Sequence, residues 1–184
     1  MTGNAGPRLT VVAGDITAQE VDVVVNAANS SLLGGGGVDG AIHAAAGPHL
    51  LEECRRLRRT SHREGLPVGA AVATGAGRMP ARWVVHTVGP NRHRGQRDPA
   101  LLAACFANSL RVAAGLGARS VAFPAISAGA FGWDVEEVAA VAVRAVRDAV
   151  TAGATGDVEE VRFVVFGRAA EAAFSQALTA DVTD

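Results

Sequence analysis

Six short runs of β-branched and apolar residues, separated by longer Ala-rich or polar stretches, limit what this chain can fold into. The runs are Leu9–Val12, Val21–Val25, Ala70–Thr74, Trp83–Val88, Ser120–Phe123 and Val161–Phe166. They are nearly continuous in apolar residues, which is how strands covered on both faces read. The intervening stretches read as helices. Pro99–Ala114 opens with Asp98 as N-cap and Pro99 at the first helical position; Gly115 and Gly117 supply stop signals. Asp134–Val150 opens on Asp134 with Glu136 and Glu137 in its first turn and ends near Gly153. Shorter helices are expected over Asp39–Ala46, Pro48–Arg59 and Ala169–Leu178. Asn26-Ala27-Ala28-Asn29, directly after Val25, is poor strand material and marks a strand end. This alternation predicts a layered α/β architecture. At 184 residues the chain suits one domain, with a core over about 8–178 and frayed ends at residues 1–7 and 180–184.

Composition narrows the function classes. With 49% apolar and 19% charged residues, the chain is too apolar for disorder. Seventeen basic residues, all Arg, against 18 acidic ones give a net charge of −1, so no bulk field draws it to nucleic acid or a membrane. Two stretches are locally basic, Arg55–Arg63 and Arg92–Arg97. A solvated helix face and an exposed loop outrank a nucleic-acid patch here: neither stretch interleaves aromatics that could stack on bases, and Glu52, Glu53, Glu64 and Asp98 dilute the charge. Cys54 and Cys105 lie far apart without CxxC spacing, against both a zinc site and a disulfide scaffold. The first residues lack the apolar stretch of a signal peptide, and no later run reaches 18 uninterrupted apolar residues. The expectation is a soluble cytoplasmic monomer with reduced thiols and neither metal nor cofactor.

Ligands of open α/β sheets bind outside the carboxyl ends of the strands, and three segments at such ends are unusual. In Gly14-Asp15-Ile16-Thr17, Asp15 could accept from an exocyclic amine such as that of adenine, or close a local turn. The second segment carries Asn26, Asn29, then Gly34-Gly35-Gly36-Gly37-Val38-Asp39 and, one turn on, His43. Four glycines between a strand and a helix each cost about 0.5–1 kcal/mol relative to Ala in regular structure. That cost is tolerable where backbone amides must approach a ligand, and a loop ending at a helix N-terminus suits phosphate oxygens. It has neither the Lys-Ser/Thr ending of a P-loop nor GxGxxG spacing, which points to a phosphate compound other than a Walker-bound triphosphate. Asp39 could complement the helix dipole, face a sugar hydroxyl, or orient a water. His43, four residues on, shares its face and could couple with it in acid/base work. Asn26 and Asn29 suit ribose hydroxyls or tie the loop down. In the third segment, Ser127-Ala128-Gly129-Ala130-Phe131 after Phe123-Pro124, small residues turn amides towards anionic oxygens and Phe131 could cover a sugar. No third ligand clusters with Asp39 and His43, so no metal is expected.

These blocks, with His86-Thr87-Val88-Gly89-Pro90, resemble the macrodomain family, specifically its MacroD-type branch, over residues 8 to about 178. The resemblance implies a three-layer α/β/α fold around a mixed six-stranded sheet with ADP-ribose in a cleft. Asp15 and the Ile16 amide would take adenine, and Phe166 would stack on it. The amides of Gly35, Gly36, Gly37 and Val38, and those from Ser127 to Phe131, would hold the diphosphate. Asn29, Asp39 and Phe131 would meet the distal ribose. The implied activity is hydrolysis of mono-ADP-ribose from acidic side chains of proteins and of O-acetyl-ADP-ribose, with Asp39 orienting water, His43 positioning Asp39 or the ribose, and Asn29 assisting. A non-catalytic ADP-ribose reader is the alternative, since the same loops suffice for binding. The chain departs from the family pattern at Ala128, where Thr is frequent, at Phe131, where Tyr is common, and at Gly167-Arg168, where acidic residues are common.

Overall fold

The computed structural model describes residues 5–180; of the ends expected to fray, 1–7 and 180–184, residues 1–4 and 181–184 lie outside the described residues, and Ala180 belongs to the last helix. Strands β1 (Arg8–Ala13), β2 (Val23–Ala28), β3 (Ala71–Gly75), β4 (Trp83–Val88), β5 (Ser120–Phe123) and β6 (Glu160–Val165) form one sheet in the order β1-β6-β5-β2-β4-β3. All neighbours run parallel except β3, which is antiparallel to β4. Five helices complete the fold: α1 (Gly37–Ala46), α2 (Pro48–Arg59), α3 (Pro99–Gly115), α4 (Val135–Thr151) and α5 (Arg168–Ala180).

The two-residue period of the strands sorts their side chains into two cores. Val23, Val25, Phe123 and Phe163 point to the face covered by α3, α4 and α5, where they meet Phe106, Val143 and Phe174. Val24, Val84, Ala122 and Val164 point to the opposite face, onto Ile42 of α1 and Leu50 of α2. The sheet is thus buried on both sides, as its unbroken apolar runs predict, and the layering is α/β/α.

Most element ends match their sequence signals. Asp98 accepts from the Ala100 amide at 2.9 Å, as its capping position predicts. Asp134 stands at the N-cap of α4 but its carboxylate makes no capping bond. One reading needs correction: β2 does not end at Val25 but runs to Ala28, with Asn26 in register with His86 of β4. Tertiary pairing overrides the poor strand propensity of Asn-Ala-Ala, because Asn26 finds its partners inside the protein. Nor are the basic stretches wholly solvated. Arg58 donates to the carbonyls of Ser31 and His62, and the Arg92 guanidinium lies 4.3 Å over the Trp133 ring while pairing with Glu137 at 2.8 Å. Both thiols are free and buried, and burial pushes each up to about 11.

Candidate active site

The carboxyl ends of the parallel strands open into a trough made of two adjoining cavities of about 790 and 430 Å³. Gly37, Val38, Pro124, Ala125 and Ala128 line both, so the two are compartments of one cleft. Volumes of this size suit a small-molecule ligand.

The larger compartment is walled by Asp15, Ile16, Val165 and Phe166. Asp15 Oδ1 accepts from the Thr17 amide at 2.9 Å and its hydroxyl at 2.7 Å, and the hydroxyl bond, more than the amide, holds its carboxyl below the usual range. Asp15 therefore does close a local turn, while Oδ2 has no donor among the described residues. Phe166 is 92% exposed. A large ring left in water at the mouth of an apolar cavity is the exception that calls for a ligand.

The second compartment is lined mostly by glycine and alanine. Gly34 (φ 95°) and Gly37 (φ 58°) take left-handed conformations that glycine alone adopts without strain. The amides of Gly35, Gly36, Gly37 and Val38 have no acceptor among the described residues, and a Cβ at Gly36 or Gly37 would meet nothing within 4 Å. Four unpaired donors thus belong to residues lining the second compartment at the N-terminus of α1, an arrangement that attracts anions. Across the cleft, Ser127 adopts φ 68°, and Leu32, behind the glycine loop, φ 62°; they are the only non-glycine residues with positive φ among those described. Strain confined to the two loops flanking a cleft marks a functional site. The Ala128 amide donates to the Ala125 carbonyl at 3.2 Å, so it is not available to a ligand, contrary to the reading of this segment. Ser127 and Ala130 keep unpaired amides.

Asp39, in the first turn of α1, forms part of the second compartment's wall though only 5% exposed. Its Oδ1 accepts from Asn26 Nδ2 at 2.8 Å, and the same Nδ2 lies 3.1 Å from His86 Nδ1. The reverse orientation would set the Asn26 carbonyl oxygen against a carboxylate oxygen, so the network fixes the amide nitrogen towards Asp39. His86 Nδ1 is then an acceptor and its proton resides on Nε2, which donates to Thr74 Oγ1 at 2.9 Å; Thr74 in turn donates to the Gly75 carbonyl. Burial, with a smaller contribution from His43, pulls His86 down to about 3, and the ring is neutral. Asn26 is fully buried and lines neither compartment, which corrects its assignment as a ligand contact: it holds Asp39 from behind. His43 Nε2 stands 3.3 Å from Asp39 Oδ1, within ion-pair range but without hydrogen-bond alignment. It also contributes no surface to the cleft, so of its two expected roles only the one beside Asp39 is geometrically open. Asn29 ties the loop down, donating to the Gly34 carbonyl at 3.0 Å and accepting from Ser31. It reaches the wall of the second compartment together with Phe131.

Sequence reasoning gave no role to His86 or Gly89. A Cβ on Gly89 would collide with Ser127 Oγ, and that hydroxyl donates to the Pro90 carbonyl at 2.8 Å, so this glycine lets the two loops close. The available signal for His86 was a lone histidine within an apolar strand, which must find partners when buried.

This geometry agrees with comparison to known proteins. The Macro domain family model matches residues 25–142. The chain belongs to the Macro domain family. A "Macro domain-containing protein in non 5'region" of Streptomyces griseus is 56% identical over 178 residues, covering 97% of this chain and 98% of that protein. The O-acetyl-ADP-ribose deacetylase of Escherichia fergusonii is 47% identical over 173 residues, covering 94% and 96%. The solved Oceanobacillus iheyensis macrodomain with ADP matches with TM-score 0.88 and 38% identity, covering 96% of this chain and 93% of that one. In this macrodomain, the described residues contain no group of three or more His, Cys, Asp or Glu arranged to hold a metal ion. None of its described helices is long and apolar enough to cross a membrane.

Proposed function

We propose that this macrodomain binds ADP-ribose along the cleft and hydrolyses acyl esters of its distal ribose, acting on O-acetyl-ADP-ribose and on mono-ADP-ribose carried by acidic side chains of proteins. Adenine stacks on Phe166 between Asp15 and the Ile16 amide. The diphosphate takes the amides of Gly35 to Val38 and, opposite, those of Ser127 and Ala130. The distal ribose lies at Asn29, Asp39 and Phe131. Water adds across the ester to give ADP-ribose and a free carboxylic acid; Asp39 orients that water, Asn26 and His43 hold Asp39, and Asn29 keeps the loop shut. The names of the Escherichia fergusonii and Oceanobacillus iheyensis relatives support the ligand class.

One observation carries the reading: a nearly buried carboxylate, fixed by a directed amide, stands beside four unpaired backbone donors at the end of an open cleft. The test compares wild type with Asp39→Ala in calorimetry with ADP-ribose and in ester turnover. Affinity for ADP-ribose is expected to persist while turnover falls about 10²–10⁴-fold, the range typical of losing a general acid or base. Binding without turnover by wild type would make the protein a reader, and absence of binding would overturn the reading.

A further inference from the structure

The cleft does not end at the distal-ribose position. A third cavity of about 380 Å³ adjoins the second compartment through Asn29, Gly89 and Phe131, and shares no wall residue with the first. It therefore lies beyond the ribose end, where whatever is esterified to that ribose must project. Polar groups stand on both sides of it among apolar ones, Ser31 on one side and Asn91, Arg94 and Gln96 on the other.

The Arg92–Arg97 stretch, which the function described so far leaves unused, supplies that second side. It is a fixed loop. Gln96 Oε1 accepts from the Asn91 amide at 2.7 Å, and Asn91 Oδ1 accepts from the His93 amide at 3.0 Å. Arg92 is clamped between Trp133 and Glu137, and Gly132 leaves room for the His93 ring, which a Cβ there would strike at 2.8 Å. The nearby acids are committed elsewhere: Glu137 pairs with Arg92 and Asp98 caps α3. No carboxylate among the described residues pairs with Arg94, and none lines the cavity.

We infer that this cavity is an acceptor subsite for a polypeptide bearing acidic residues next to the modified side chain, with Arg94 as its specificity-determining cation. An acetyl group needs neither this volume nor a cation, whereas a guanidinium fork matches a carboxylate in charge and geometry. The inference rests on the reading that the distal ribose lies at Asn29 and Phe131.

The test uses two peptides of equal length, mono-ADP-ribosylated on one Glu, flanked in one by Asp and Glu and in the other by Asn and Gln. Wild type, Arg94→Lys and Arg94→Glu are compared by kcat/KM at low salt, with O-acetyl-ADP-ribose as reference. Wild type is expected to prefer the acidic-flanked peptide by about fivefold, the upper range for an exposed ion pair. That preference shrinks with added salt, is partly retained by Arg94→Lys and is abolished by Arg94→Glu. Equal turnover of the two peptides by wild type, turnover of the acetyl ester alone, or an unchanged preference in Arg94→Glu would overturn the subsite while leaving the ADP-ribose site standing. Should wild type bind ADP-ribose without hydrolysing any ester, only the hydrolase reading falls. The affinities of the two peptides, measured by calorimetry, then decide the subsite by the same comparison.

Discussion

Asn26 has two hydrogens to give and spends both, one on Asp39 and one on His86, while its own oxygen has no donor among the described residues. An unmet buried oxygen costs about 1–3 kcal/mol, so the arrangement sacrifices stability to aim a carboxylate. The direction of that amide fixes the state of His86, whose ring must accept on Nδ1, keep its proton on Nε2 and remain neutral. ¹⁵N chemical shifts of His86 are expected to show the Nε2–H tautomer throughout pH 5–8; a doubly protonated ring anywhere in that range would contradict the network. The consequence for stability has a definite sign. Folded His86 titrates near 3 against about 6.5 in an unfolded chain. Between these values the unfolded state binds more protons. The contribution of His86 is therefore complete above about pH 6.5 and lost as pH falls towards 3, with a limiting slope of about 1.4 kcal/mol per pH unit. Urea unfolding between pH 7 and 5 is expected to show that decline, and His86→Gln to flatten it.

The glycine loop and α1 act as one element, because Gly40 inside the helix backs onto the loop. A Cβ at Gly40 would sit 2.6 Å from the Gly35 carbonyl oxygen, displacing the segment whose amides face the cleft. Gly36, at φ −92° with nothing near its absent Cβ, has no such constraint within the chain. Gly40→Ala is thus expected to weaken ADP-ribose binding at least tenfold even though alanine is the better helix former by about 1 kcal/mol. Gly36→Ala is expected to leave the unfolding free energy within about 0.5 kcal/mol of wild type. Calorimetry and urea unfolding on both variants check the contrast. The site was legible in the sequence where it is local. A glycine run between strand and helix announces backbone donors, and Asp39 and His43 share a face through helical spacing. It was illegible where it is not local: Asn26 meets His86 sixty residues away, and the Ala128 amide is consumed by a turn that its small side chains do not announce. Asn26 read as a strand end for the same reason, since propensity carries no information about a partner strand.

Across the whole molecule, the alternation of short apolar and longer amphipathic runs was enough to give the layers, whereas a mixed sheet was implied only by the family resemblance and nothing in the strand runs marked β3 as the one that reverses. The larger core is organised around a chain of rings, Phe106, Phe123, Phe163 and Phe174, with centroids 5.1, 6.2 and 5.2 Å apart in turn. It threads α3, β5, β6 and α5 together across the face opposite α1. Phe123 is one of its two inner links and is fully buried, and Phe123→Ala is expected to cost about 3–5 kcal/mol, a large share of the 5–15 kcal/mol typical of a domain. Denaturant unfolding measures it. The middle of the cleft, by contrast, is lined mostly by glycine and alanine, and its unpaired polar groups are backbone amides. Bound as proposed, any compound with two linked phosphates meets the same donors there, whatever it carries at its ends. An inhibitor that is to distinguish this protein from others of its architecture must therefore take its selectivity from the flanks, from the bare ring of Phe166 at one end or the guanidinium of Arg94 at the other.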